Sequence, residues 1–136
     1  MALFCHPELS VGGGSVALDV VDRIREGLPT SVVDETLQSG RLTASELDRL
    51  AIPRKTVAHR RKLGRLTAEQ SDRLLRVLRV MEEAETSFAN PEKAHRWLRR
   101  PTDALAGRSP LSLLDTDVGA RLVEQLLGRI THGLAV

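Results

Sequence analysis

Apolar positions along the chain recur every three to four residues, in stretches cut off by glycine or proline, and that spacing predicts helices. Val16, Val20, Val21 and Ile24 form the first series, which stops at Gly27-Leu28-Pro29. Val32, Val33 and Leu37 form a second, with Ser31 as its expected N-cap and Gly40 as its stop. Thr43-Ala44-Ser45-Glu46 has the form of a capping box, so a third helix carrying Leu47, Leu50 and Ile52 starts there and must stop or bend before Pro53. Pro53 suits the first turn of a fourth helix, PRKTVAHRRKL, which Gly64 closes and whose Val57 and Leu63 are expected to face inward.

A second box, Thr67-Ala68-Glu69-Gln70, opens the longest series, with Leu74, Leu75, Leu78, Met81 and Phe88 on its buried side. Asn90 and Pro91 open a short helix that presents Ala94, Trp97 and Leu98 and ends at Pro101; Trp97 is placed to wedge it against the long helix. Ser109-Pro110 begins a single turn around Leu111, Leu113 and Leu114. A last helix starts near Asp117 with Thr116 or Asp115 as cap. It is expected to bury Val118, Leu122, Val123, Leu126, Leu127 and Ile130 before His132-Gly133 breaks it. No stretch alternates with period two long enough to predict a strand, so the expected fold class is all-α.

Composition narrows this further. At 136 residues the chain is sized for one domain, or two small ones sharing a core. Aromatics are only 2%, so the core must be aliphatic and is best supplied by helices packed on helices. A single Cys5 excludes an internal disulfide framework and a Cys-rich zinc site and suits a reducing cytoplasm. No apolar run approaches the roughly 20 residues that span a bilayer, so no membrane association is expected. Residues 1–15, with a Gly triplet and no periodic pattern, read as a flexible leader. His6, His59, His95 and His132 are scattered, and no phosphate loop or metal-ligand spacing appears, so neither catalysis nor a cofactor is expected.

The net charge of +2 hides an uneven distribution. Residues 41–79 carry eleven basic side chains against four acidic ones, a balance of +7. The remaining nine basic and fourteen acidic residues leave the rest of the chain at −5. Within the basic stretch, two short helices joined by a tight turn have the layout of a helix-turn-helix unit. Its second helix holds Arg54, Lys55, Thr56, His59, Arg60, Arg61 and Lys62 with no acid among them. Arg54 and Lys55 near the helix start suit guanine edges, and Thr56 and His59 suit bases or phosphates. Arg60, Arg61, Lys62 and Arg65 suit the phosphate backbone. The competing reading is an ordinary solvated basic helix; charge and layout together favour DNA.

The C-terminal half carries an ordered set of motifs: Trp97-Leu98, Pro101, Leu105-Ala106-Gly107, Ser109-Pro110-Leu111, Asp115-Thr116 with Gly119, and Arg129-Ile130 with Gly133. In this order they resemble the antitoxins that end in an Xre/MbcA/ParS-type toxin-binding domain, and the upstream helix-turn-helix extends the likeness. The resemblance implies an antitoxin of a type II toxin-antitoxin system. Such a protein neutralises a RES-domain, NAD-depleting toxin and binds operator DNA to repress its own operon. It also implies that the C-terminus enters the toxin's active site. There Leu134, Ala135 and the carboxylate of Val136 make a small apolar tail with one negative charge, suited to an arginine meant for a substrate phosphate. Arg129, His132 and Gly133 would lie at that contact, with Arg121 and Gln125 beside it. The organisation expected is a leader over 1–15, a helix-turn-helix DNA-binding domain over 16–66, and a small helical domain for toxin binding and dimerisation over 67–136. The rival is a homodimeric helix-turn-helix transcription regulator with no toxin partner, whose C-terminal half only dimerises.

Overall fold

The computed structural model describes residues 14–133, and among these it contains seven α-helices and two short 3₁₀ turns, with no strand. Residues 1–13 of the expected leader, with Cys5, and the tail residues Leu134, Ala135 and Val136 lie outside the described residues, whereas Gly14 and Ser15, expected in the leader, open the first helix. The helices are α1 (Gly14–Glu26), α2 (Ser31–Gln38), α3 (Ala44–Leu50), α4 (Arg54–Leu63), α5 (Ala68–Phe88), α6 (Pro91–Arg99) and α7 (Asp117–Thr131). The 3₁₀ turns cover Asp103–Leu105 and Leu111–Leu113. The chain forms two compact units, one up to Leu75 and one from Arg76. No helix is long and apolar enough to cross a membrane among the described residues.

The helix starts follow from local chemistry. Thr43 accepts the Glu46 backbone N–H at 3.2 Å while the Glu46 carboxylate accepts the Thr43 N–H at 2.9 Å, closing a reciprocal box. Thr67 and Gln70 make the same exchange at 3.1 and 2.9 Å. Asn90 Oδ1 accepts from Glu92 and Lys93, and Thr116 Oγ1 accepts from Gly119. At α2 the expectation fails: Ser31 is the first helical residue, the N-cap is Thr30, and neither caps through its side chain. The Thr30 hydroxyl donates instead to the Gly64 carbonyl at 3.4 Å, where the chain after α1 runs beside the chain after α4.

In the first unit, Leu28, Val32, Val33, Leu42, Leu47, Leu50, Ile52, Val57, Leu66 and Leu74 form the core. Residues 28–30 pair with 64–66: Leu66 donates its N–H to the Leu28 carbonyl at 2.8 Å and Thr30 to that of Gly64 at 3.1 Å. The approach requires glycine at position 27. A Cβ there would stand 2.0 Å from the Leu66 carbonyl oxygen, and φ is +92°. By contrast, α1 is poorly covered over 17–26. Val20 and Ile24 are half-buried, while Leu18 and Val21 face solvent.

In the second unit, Leu78, Val80, Met81 and Ala84 of α5 pack with Ala94 and Leu98 of α6, Leu111 and Leu114 between the helices, and Ala120, Val123, Leu126 and Leu127 of α7. Phe88 is half-buried rather than buried, its ring 5.5 Å from that of Trp97. The largest departure from the expected core is on α7, where Val118 and Leu122 are exposed. The reason is Gly119: its Cα face lies so near the Leu113 carbonyl oxygen that a Cβ would stand 1.9 Å away. That approach turns the 119, 120, 123, 126 and 127 stripe inward, which rolls Val118 and Leu122 outward. Ile130 is half-buried, and Leu63 of α4, expected to face inward, is 58% exposed.

Candidate nucleic-acid and protein interfaces

The α3–turn–α4 pair is joined by three intervening residues and is locked at its corner. Arg54 is the first residue of α4, so its N–H has no acceptor within the helix; Asp48 Oδ1 accepts it at 2.7 Å. Val57 and Ile52 are buried beneath the turn, which fixes the rotation of α4 about its own axis.

That rotation sorts the basic residues. Arg54 is exposed but its guanidinium donates to Ser45 Oγ at 3.0 Å. Arg61 pairs with Asp34 at 2.8 Å. Arg60 is half-buried and its Nε donates to the Arg65 carbonyl at 2.7 Å, while the Arg65 guanidinium donates to the Gly27 carbonyl at 2.9 Å. Thr56 is half-buried. Lys55, His59 and Lys62 are exposed and have no hydrogen-bond or ion-pair partner among the described residues. At spacings of four and three residues they share the outward face of α4, opposite Val57. The first unit therefore presents one cationic ridge backed by arginines already engaged in holding the turn. Sequence spacing alone did not separate the two groups, because the acceptors of Arg60, Arg61 and Arg65 come from other segments.

The second candidate surface is the outer side of α7. Arg121, Gln125, Arg129 and His132 are all exposed, and Arg121 pairs with Asp117 one turn away at 3.0 Å. Val118, 69% exposed, and Leu122, 44% exposed, fall in the same arc of the helix. His132 is the C-cap, and Gly133 follows with φ +72°. Sequence reasoning missed Val118 and Leu122 because it assigned them to the core. The signal available was the Val118, Leu122, Gln125, Arg129 spacing, a second stripe running beside the buried one. On its opposite flank α7 is tied down by Glu124 to Arg79 at 2.9 Å and by the Thr131 hydroxyl to Ser87 at 2.9 Å. Between them, Glu83 has its carboxyl raised above the usual range, first by burial and then by the neighbouring Glu124 carboxylate, with Arg79 opposing.

Two family models match the chain. One, described as the antitoxin Xre-like helix-turn-helix domain, matches residues 19–79; the other, the antitoxin Xre/MbcA/ParS C-terminal toxin-binding domain, matches 83–133. Among curated proteins, the chain is 36% identical to an Antitoxin Xre of Photorhabdus laumondii over 82% of its length and 77% of the relative's. It is 33% identical to an Antitoxin Xre of Pseudomonas putida over 97% of its length and 80% of that protein's. A shorter match, 44% identical over 40% of the chain and 35% of the relative, is to a Prs ADP-ribosylating antitoxin of a Sphingobium species.

Proposed function

The chain belongs to the Xre antitoxin family, and we propose that it neutralises a RES-domain, NAD-depleting toxin through the outer face of α7 and the residues that follow it, while α4 binds operator DNA to repress the genes of the pair. The observation that carries the toxin half is the exposed arc of Val118, Leu122, Gln125 and Arg129. It lies inside the segment matched by the toxin-binding model. An exposed apolar pair rimmed by polar residues is the usual look of a surface built for a protein partner. On this reading Leu134, Ala135 and Val136 enter the toxin's substrate pocket, with Arg121, Arg129, His132 and Gly133 around its mouth. The DNA half rests on Lys55, His59 and Lys62, with Arg54, Thr56, Arg60, Arg61 and Arg65 beside them. A homodimer acting in the cytoplasm, each copy reading one half-site, fits a helix-turn-helix repressor.

The name of the Sphingobium relative supports a second reading of the toxin, one that transfers ADP-ribose to a protein. Both activities would consume NAD, so one experiment serves. The toxin is co-produced with the antitoxin or with variants Leu122→Asp and deletion of 134–136, while growth, NAD content and protein ADP-ribosylation are followed. Protection should be lost with both variants. NAD loss without protein labelling identifies a depleting toxin, and labelling identifies a transferase. Full protection by both variants would overturn the α7 assignment.

A further inference from the structure

The second unit carries a cationic surface that the toxin and operator readings leave unused. On α6, Ala94 and Leu98 are buried, while Lys93 and Arg96 are exposed, as is Arg100, the C-cap just past the helix. Beyond α6 the chain loops through 103–107 and returns. The Thr102 N–H donates to the Arg108 carbonyl at 3.1 Å, which brings the exposed Arg108 back beside the end of the helix. Arg96, Arg99 and Arg100, together with Glu92 and His95, line a shallow depression of about 510 Å³. The side chains of Lys93, Arg96, Arg100 and Arg108 have no hydrogen bond or ion pair among the described residues.

Helix electrostatics do not account for this arrangement. Cations in the last turn complement the negative end of the helix, which covers Arg96 and Arg99. Lys93 sits in the first turn, where the dipole opposes a cation, so the dipole does not explain the patch as a whole. Nor does the patch resemble a protein interface. Such interfaces have an apolar centre with few charges, whereas the exposed large apolar residues among those described lie on α1, α4 and α7, none on α6 or this loop. Unpaired cations from the helix, its C-cap and the returning loop, with no apolar centre, suit a chain of phosphates.

We propose that the α6 face and Arg108 form a second, sequence-independent binding surface for the phosphate backbone of duplex DNA, distinct from the α4 ridge. The assignment stands on α6 and does not require α4 to read an operator.

The test uses the full chain and a short duplex of arbitrary sequence, with affinity measured as a function of salt by fluorescence anisotropy. In the triple variant Arg96→Ala, Arg100→Ala, Arg108→Ala the slope of log affinity against log salt should flatten by about 0.9 for each phosphate no longer neutralised. The triple variant Arg96→Lys, Arg100→Lys, Arg108→Lys should keep the wild-type slope, and circular dichroism should show both variants folded. Lys55→Ala with Lys62→Ala reports the α4 contribution separately, so failure of the α4 reading would leave the α6 effect visible. An unchanged slope in the triple alanine variant overturns the proposal, as does absence of duplex binding by the wild type. Loss of toxin affinity with unchanged DNA binding would also overturn it, assigning the patch to a protein partner.

Discussion

Leu28 donates its backbone N–H to Ser71 Oγ at 2.8 Å, and Ser71 in turn donates to the Thr67 carbonyl at 2.7 Å, with Ser71 fully buried. One hydroxyl thus satisfies a donor 43 residues upstream that has no secondary-structure partner. Ser71→Ala should leave that N–H buried and unpaired, at a cost of about 1 to 3 kcal/mol. Thermal unfolding compared with Ser71→Thr, which keeps the hydroxyl, checks whether the acceptor rather than the volume is at stake.

Gly119→Ala is expected to damage the second unit, because the added methyl meets the Leu113 backbone oxygen, which cannot swing aside. Overpacking of this kind costs about 1 to 3 kcal/mol or more. Gly128→Ala lies on the same helix with open space around it and serves as the control. Denaturant melts of the two should diverge, with Gly128→Ala neutral or slightly stabilising as expected of alanine in a helix.

The raised carboxyl of Glu83 has a consequence for pH. Its folded state holds a proton more tightly than the unfolded chain, whose value is near 4.5, so its contribution to stability falls as pH rises from there through the folded value. Glu83→Gln removes that penalty. The variant should melt higher than the wild type at neutral pH, with the advantage vanishing below about pH 4.5. An equal gain at acidic pH would show that packing, and not the charge, is responsible.

On α4 the partner-free and the engaged cations should behave differently. Lys55→Ala with Lys62→Ala is expected to leave stability within about 0.5 kcal/mol while weakening operator binding and its salt dependence. Arg60→Ala removes the donor to the Arg65 carbonyl and should lower the melting temperature as well. Identical melting profiles for the two would mean that the geometry of the Arg60 bond carries no weight.

What could be read from the sequence was whatever is decided within a turn or two of helix. The caps at Thr43, Thr67 and Asn90 were legible because donor and acceptor lie two or three residues apart, and of the two candidates before the last helix, Thr116 and Asp115, Thr116 is the cap. So was the α3–α4 pair, since Pro53 forces the break. The rotation of α7 was not legible: its sequence offers two apolar stripes, and the choice between them is made by a backbone oxygen on a separate turn. The same holds for α4, where Arg61 and Lys62 are neighbours of like charge and only the arrival of Asp34 from α2 distinguishes them. Nothing within a turn of Ser71 marks it as an acceptor; only the return of residues 28–30 makes it one.

Phe88 and Trp97 stand with their rings 5.5 Å apart at 48°, and the chain has no other tryptophan and no tyrosine. The protein therefore carries its only strong ultraviolet emitter in the second unit. Tryptophan emission follows unfolding from Arg76 onward and is blind to the helix-turn-helix, whereas the helical dichroism signal sums both units. Unfolding curves from the two signals that superimpose describe a single cooperative molecule. Curves that separate give the stability of each unit from one unlabelled sample.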